Sequence, residues 1–346
     1  MITPQNIKHY AFTITLVMLA SYVGNKFKQN FSNRTNDEHE LIRKYLLNDT
    51  PLYGFNKPKI WIHTKYDINA RNWKSFSSRN SKELNQPYLH FSIQSIIDHC
   101  SNDFHICLID DHTFSKLIPG WDVDVSLLPE PIKTQYRQIA LLTLINSYGG
   151  IIVPNSFVCK KTLKPLQEQI KNNGVPFVCE HINRIITMSK NEEFMPDTYF
   201  MGCDKNDDTI ASFIELLSAS VKSSHHSHEP FITGFINLWC EKQIGDNKMT
   251  LVSGNKIGIK DSKNKYIIID DLMEDKYLDL HADCLGVYIP SDEMISRHKF
   301  SWFAVLPRDQ ILKSKLAITY VIKTSMVDSS DIYTNKTSQY TSGISI

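Results

Sequence analysis

The chain has 346 residues, 42% of them apolar and 22% charged, which are the proportions of a folded protein with a sizeable core and not those of a disordered or fibrous one. Its 38 Lys and Arg residues balance 37 Asp and Glu to a net charge of +1, and no long run of like charge breaks that balance, so no nucleic-acid partner is expected. The 7 cysteines are odd in number and form no Cys-x-x-Cys pair, which argues against a zinc ribbon or a dithiol redox motif; most lie in apolar runs and read as buried small hydrophobes.

In chain order, the first feature is an uncharged stretch over residues 10–24, with Lys8 before it and Lys26 and Lys28 after it. A comfortable bilayer span takes about 20 apolar residues. This shorter run fits a signal-peptide core, an anchor in a thin membrane, or a buried helix. Residues 26–56 are polar, aperiodic and stem-like, with Asn-x-Ser/Thr sites at Asn30, Asn33 and Asn48; a further site stands at Asn335. The stem favours an uncleaved signal anchor over residues 1–25, a single-pass type II protein and a lumenal, glycosylated C-terminal portion in a Golgi-like compartment. The basic residues on both flanks leave the orientation undecided by charge.

The main domain is predicted to cover residues 57–325. Lys59-Ile60-Trp61-Ile62-His63 reads as a buried strand. Tyr88 to Cys100 reads as a helix with Leu89, Ile93, Ile96 and Ile97 on one face. Phe104 to Ile109 forms a second strand that runs into Asp110-Asp111, and a short helix follows from Thr113 to Ile118. Pro129 and Pro131 open a helix over roughly 131–147, because proline costs nothing in a first turn. Tyr148-Gly149-Gly150 ends that helix, and Ile151-Ile152-Val153 is a third strand stopped by Pro154. Alternating strands and helices predict an α/β domain with a mostly parallel sheet flanked by helices, Rossmann-like, with ligands beyond the carboxyl ends of the strands. Further strands are predicted at 176–180, 198–202, 266–269 and 287–289, a helix at 209–221, and a loose Ser/Thr-rich tail at 326–346.

One ordered set of motifs is more informative than any of its members: Lys57 to His63, then Leu108-Ile109-Asp110-Asp111, then Tyr136-Arg137 followed by Tyr148-Gly149-Gly150-Ile151, then Phe200-Met201-Gly202 and Ile232-Thr233-Gly234. The set resembles the glycosyltransferases with a DXD sugar-binding region, the capsular-polysaccharide-synthesis and mannosyltransferase-like group, over roughly residues 57–310. The resemblance implies a GT-A fold, a UDP- or GDP-sugar donor, retention of anomeric configuration and a glycan or glycoprotein acceptor. It places the nucleotide-sugar site at Asp110, Asp111, Arg137, Tyr148, Gly149, Gly150, Asn155 and Ser156.

The sequence departs from that family at the carboxylates. The family carries an Asp three residues before the arginine, where Thr134 stands, and Asp-x-Asp after the third strand, where Pro154-Asn155-Ser156 stands. Mg and Mn prefer carboxylate oxygens. Proline offers no ligand, and Asn155 and Ser156 offer neutral oxygens only. No metal is therefore assigned, and Mn or Mg enters only if another carboxylate, such as Asp122 or Asp124, reaches the site. Arg137, Lys160 and Lys161 are alternative bearers of phosphate charge.

Each of these residues has a plainer reading. Arg137 can be a helix-surface arginine, Gly149-Gly150 a helix stop, Asp111 a helix cap, and Lys160-Lys161 a solvated pair. Asp122-Val123-Asp124 lies before the helix, out of place for a DXD. His225, His226 and His228 with Glu229 read as an exposed loop. The missing carboxylates leave two expectations: a glycosyltransferase without the usual metal, or a non-catalytic protein of the same fold with a binding, scaffold or structural role.

Overall fold

The computed structural model describes residues 57–64, 86–181, 196–222 and 229–326. The apolar stretch at 10–24, the stem, the tail and the histidines at 225, 226 and 228 lie outside them. Among the described residues no helix is long and apolar enough to cross a membrane.

The domain opens with β1 (Lys59–His63), α1 (Tyr88–Cys100), β2 (His105–Ile109) and α2 (Phe114–Leu117). A 3-10 turn at Val125–Leu127 leads to the long α3 (Ile132–Tyr148), which returns the chain to β3 (Gly150–Ile152). Next come β4 (Phe157–Cys159), α4 (Lys164–Asn173), β5 (Phe177–Glu180), β6 (Pro196–Cys203), α5 (Asp208–Lys222), α6 (Glu229–Gly245) and β7 (Thr250–Val252). The chain continues with α7 (Ile269–Leu272), β8 (Gly286–Tyr288), α8 (Ser291–Ser296), α9 (Ser301–Ala304) and α10 (Arg308–Lys313). Residues 317–326 are helical.

Six strands form one sheet in the order β2-β1-β3-β6-β5-β7. β1 is parallel to β2 on one side and to β3 on the other, and β5 is parallel to β7. Only β6 runs the other way, antiparallel to both β3 and β5. The expected mostly parallel α/β sheet is present. A strand inside such a sheet is covered on both faces and reads as an unbroken apolar run; accordingly Ile60, Trp61 and Ile62 are all 0% exposed. β4 and β8 pair apart from this sheet as an antiparallel ribbon.

α3 is the central strut. Ile139 to Leu142, Leu144 and Ile145 are buried, so the helix is enclosed along most of its middle. At its end the Trp61 indole N–H donates to the Gly149 carbonyl at 3.0 Å, and the Tyr148 hydroxyl donates to the Leu117 carbonyl at 2.7 Å. Gly149 and Gly150 have φ of 71° and 110°. A Cβ on Gly150 would collide with the Lys59 carbonyl, so the glycine lets β3 start flush against β1.

Three expectations need correction. Residues 266–269 are not a strand: Tyr266 makes one isolated bridge to Lys260, and Ile269 begins α7. Ile267 and Ile269 are buried and Ile268 is 42% exposed, which mimics a strand's alternation. The Asp271 carboxylate accepts the Ile268 N–H at 3.0 Å and turns the chain into a helix instead. Glu229 does not sit in a loop but begins α6. Asp111 does not cap the short helix, which begins after Thr113; its carboxylate is engaged elsewhere, as described below.

Gly150→Ala is expected to lower stability by about 3 kcal/mol, since it combines an unfavourable φ with a backbone collision. Urea unfolding of the purified domain measures it; a loss under about 0.5 kcal/mol is inconsistent with the close approach.

Candidate functional site at the carboxyl ends of the strands

In a parallel sheet the polar residues that close the apolar strands gather at one edge. Here β1 closes with His63 and Thr64, β2 with Asp110 and Asp111, and β3 with Pro154, Asn155 and Ser156. These three strands are adjacent, so the three closing segments share one edge. The reversed β6 begins there with Pro196 and Asp197, and β5 ends there with Glu180.

Asp110 and Asp111 have different jobs. The Asp110 carboxylate accepts the Thr113 N–H at 2.9 Å, while the Asp110 N–H donates to the Thr113 hydroxyl at 3.2 Å. This reciprocal pair makes Asp110 the capping residue of the turn before α2. Asp111 is left to reach across the edge. Arg137 grips it bidentately, Nε donating to Oδ1 at 2.9 Å and Nη2 to Oδ2 at 2.7 Å. His63 Nε2 lies 3.0 Å from the same Oδ1, its ring stacked on Phe114 at 5.5 Å. Burial by itself would raise the Asp111 carboxyl, but hydrogen bonds from His63 and Arg137 outweigh it and hold the group well below the usual carboxylate range. Arg137 is 2% exposed and its main partner lies 26 residues away, so it is no surface arginine with a local partner.

A carboxylate does lie beside Thr134. Glu130, one turn earlier, accepts the Thr134 hydroxyl at 2.6 Å and approaches Arg137 Nη1 at 3.5 Å. The Thr134 carbonyl accepts the Tyr199 hydroxyl at 3.2 Å, and the Gln138 amide donates to the Thr198 hydroxyl. These contacts reach a bulge in β6. Register passes from Val178↔Met201 to Cys179↔Asp197, so Thr198, Tyr199 and Phe200 face no residue of β5. Bulges re-aim side chains at sheet edges, and this one carries Thr198 and Tyr199 to α3.

The segment Pro154 to Phe157 is a tight turn closed by the Phe157 N–H and the Pro154 carbonyl at 3.1 Å. Pro154 and Asn155 are partly exposed, and Ser156 is buried with its carbonyl accepting the Ile289 N–H at 3.1 Å. Tyr148, Gly149 and Gly150 are not brought to this edge. Gly150 abuts Lys59, the first residue of β1, about 13 Å along the strand from His63, the last. Lys161 is engaged elsewhere, its ammonium on the Ala282 carbonyl at 2.6 Å. Asp122 and Asp124 are exposed in the stretch before α3.

Three edge residues escaped the sequence reading. His63 completes the Asp111 cluster. Glu180 is 4% exposed and holds the loop after β7, accepting the Gly254 N–H at 2.8 Å and pairing with Lys260. Asp197 is 6% exposed; one oxygen accepts the Tyr199 N–H at 2.9 Å and the other has no hydrogen-bond partner among the described residues. A single sequence signal could have found His63 and Glu180: a charged or polar residue closing a short apolar run.

Among the described residues this edge gathers no set of carboxylates that fits a divalent cation. Both Asp111 oxygens are occupied, and the turn at 154–156 brings only neutral oxygens. Among the described residues no three His, Cys, Asp or Glu side chains gather to hold a metal. The arrangement can offer hydrogen bonds and a neutralised charge pair to a ligand, but no strong field for a diphosphate. No protein-family model matches the chain, and no curated protein matches it either.

Asp111→Ala is expected to cost about 3 kcal/mol or more, because it strands a buried guanidinium. The pair also fixes a pH dependence. The folded carboxyl is held low, so the unfolded chain takes up the proton first as pH falls. Its contribution is complete above about pH 5 and shrinks as pH drops below about 4, the ordinary carboxyl value, toward the lower folded one. Urea unfolding between pH 6 and pH 3 should show a smaller acid loss for Asp111→Asn than for the wild type; parallel curves would contradict the assignment.

Proposed function

We propose that the chain is a membrane-anchored, glycosyltransferase-like protein of GT-A type. It takes a UDP- or GDP-sugar without a divalent cation and passes the sugar, with retention, to a glycan or glycoprotein acceptor. The observation that carries this reading is that Asp111, its partner Arg137 and the Asn155-Ser156 turn all lie at the carboxyl edge of three adjacent parallel strands, where α/β sheets bind their ligands. The motif order from Lys57 to Gly234 supports the family, and the bulged antiparallel β6 beside β3 gives that edge a polar lining. Residues 10–24 hold the protein in the membrane as a type II anchor, with the stem and the domain in the lumen.

A second reading is favoured by one observation: Arg137 is already neutralised by Asp111. A leaving diphosphate then meets no unspent cation at that position, and the fold serves as a non-catalytic binding or scaffold protein. Calorimetric titration of the full-length protein in detergent with UDP- and GDP-sugars, with and without Mn, separates the readings. Equal heats with and without Mn, together with sugar turnover, support the transferase. Equal heats without turnover support the binding protein. Silence for every donor in both conditions rejects both.

The lumenal placement has its own test. Expressed in a eukaryotic secretory system, the protein should gain mobility on a gel after endoglycosidase, and Asn30→Gln, Asn33→Gln and Asn48→Gln together should remove most of that shift. A wild type that never shifts contradicts the orientation.

A further inference from the structure

The described cysteines are all free and all buried, yet they are not evenly scattered. Cys100, the last residue of α1, and Cys159, the last residue of β4, are 59 positions apart in sequence, and their sulfurs are 3.8 Å apart. Both are 0% exposed. A hydrogen-bond chain enforces the approach: the Cys159 N–H donates to the Ser95 hydroxyl at 2.8 Å, and that hydroxyl donates to the Ser92 carbonyl at 2.7 Å, so β4 is tied to α1 about one and a half helical turns before Cys100. Cys284, which stands just before β8, is the third thiol of this neighbourhood; its sulfur donates to the Gly286 carbonyl at 3.1 Å, and Gly286 pairs with Cys159 across the ribbon. Among the described residues these thiols do not make up a metal site.

We propose that Cys100 and Cys159 are a disulfide-forming pair, oxidised by a small-molecule or protein disulfide as the chain folds, and that the bond ties the end of α1 to the strand that leaves the Pro154-Asn155-Ser156 turn. The chemistry balances with glutathione disulfide as oxidant. One cysteine thiolate attacks a glutathione sulfur, forming a mixed disulfide and expelling one glutathione thiolate. The second cysteine thiolate attacks the protein sulfur of that mixed disulfide and expels the other glutathione. Two electrons pass from the cysteine pair to glutathione, and the two thiol protons end on the two released glutathiones.

Timing follows from burial. Only the thiolate attacks, and burial pushes the Cys159 thiol well above its ordinary value, with the adjacent Cys100 adding to the effect. In the folded chain the pair is shielded and slow to react. The bond therefore forms before the core closes, and it then removes the entropy of a long loop from the unfolded chain. In a cell the oxidising setting is the lumen, a point that rests on the proposed type II orientation; the bond itself does not, and it is tested without any membrane.

The full-length protein is denatured, reduced and refolded in a glutathione redox buffer. Free thiols are blocked under denaturing conditions, and the unreduced digest is mapped by mass spectrometry. The expected product is one linked peptide pair containing Cys100 and Cys159, lighter than its two parts by two hydrogen atoms, with Cys284 alkylated. Cys284→Ser should retain the link and Cys100→Ser should abolish it. The oxidised wild type should melt at a higher temperature than the same protein after reduction, and Cys100→Ser should show no such difference. Alkylation of both Cys100 and Cys159, or a link from Cys159 to Cys284, overturns the proposal. Either result is independent of the glycosylation test, so failure of the bond and failure of the lumenal reading are distinguishable.

Discussion

A guanidinium that is 2% exposed cannot stay in a protein without a counter-charge, and Asp111 supplies it through two short hydrogen bonds. That pair decides where α3 sits. It fixes the first turns of the helix against the end of β2, and through His63 against the end of β1. The same stretch of helix carries Thr134 and Gln138, which hold Tyr199 and Thr198 in the bulge of β6. At the far end Tyr148 and Gly149 are pinned by Leu117 and Trp61. α3 is thus a strut fastened at both edges of the sheet, by charge at the carboxyl edge and by close backbone approach at the other.

The chemical consequences follow from what the strut uses up. Asp111 cannot serve a metal while both its oxygens face Arg137 and His63, and Arg137 cannot lend a full positive charge to a phosphate while Asp111 holds it. Displacing that carboxylate with a diphosphate exchanges one charge-assisted pair for another, so the net gain is small. Among the described residues what remains at the edge is hydrogen-bonding capacity: the partly exposed Asn155, and the buried Asp197 with one oxygen unpartnered. An unpartnered buried acceptor is costly, which sets Asp197 apart from Glu180, whose oxygens are spent on Gly254 and Lys260.

The parts of the fold legible in the sequence are those governed by local rules. β1 and β2 are unbroken apolar runs, α1 has a helical apolar face, and α3 is bracketed by prolines and a glycine pair. Each needed no knowledge of its neighbours. The short strands β4 and β7 escape a local reading because their pairing depends on partners more than 70 positions away, as when β7 lies beside β5. Residues 266–269 failed in the opposite sense, since a strand pattern without a strand to pair with gives way to an acidic helix cap. At the site, sequence order could place Asp111 and Arg137 as candidates but not join them. Their contact spans 26 positions and depends on the strut, and so does the recruitment of His63.

These placements sort the residues that carry the proposed resemblance to the DXD glycosyltransferases from the positions that depart from it. Arg137 and Tyr148-Gly149-Gly150 carry the resemblance, and each has an architectural duty here: a buried ion pair at one end of α3, a ring wedged against Trp61 at the other, and a strand start that tolerates no Cβ. Thr134, Pro154 and Ser156 are the departures, at positions where the proposed resemblance calls for cation-binding carboxylates. A helix that crosses the sheet and a strand that starts against β1 impose their residues whatever reaction the edge supports. Carboxylates at the edge are imposed only by the cation. The proposed resemblance therefore rests on residues that the architecture itself demands, and the question of activity rests on what Asn155 and Asp197 meet.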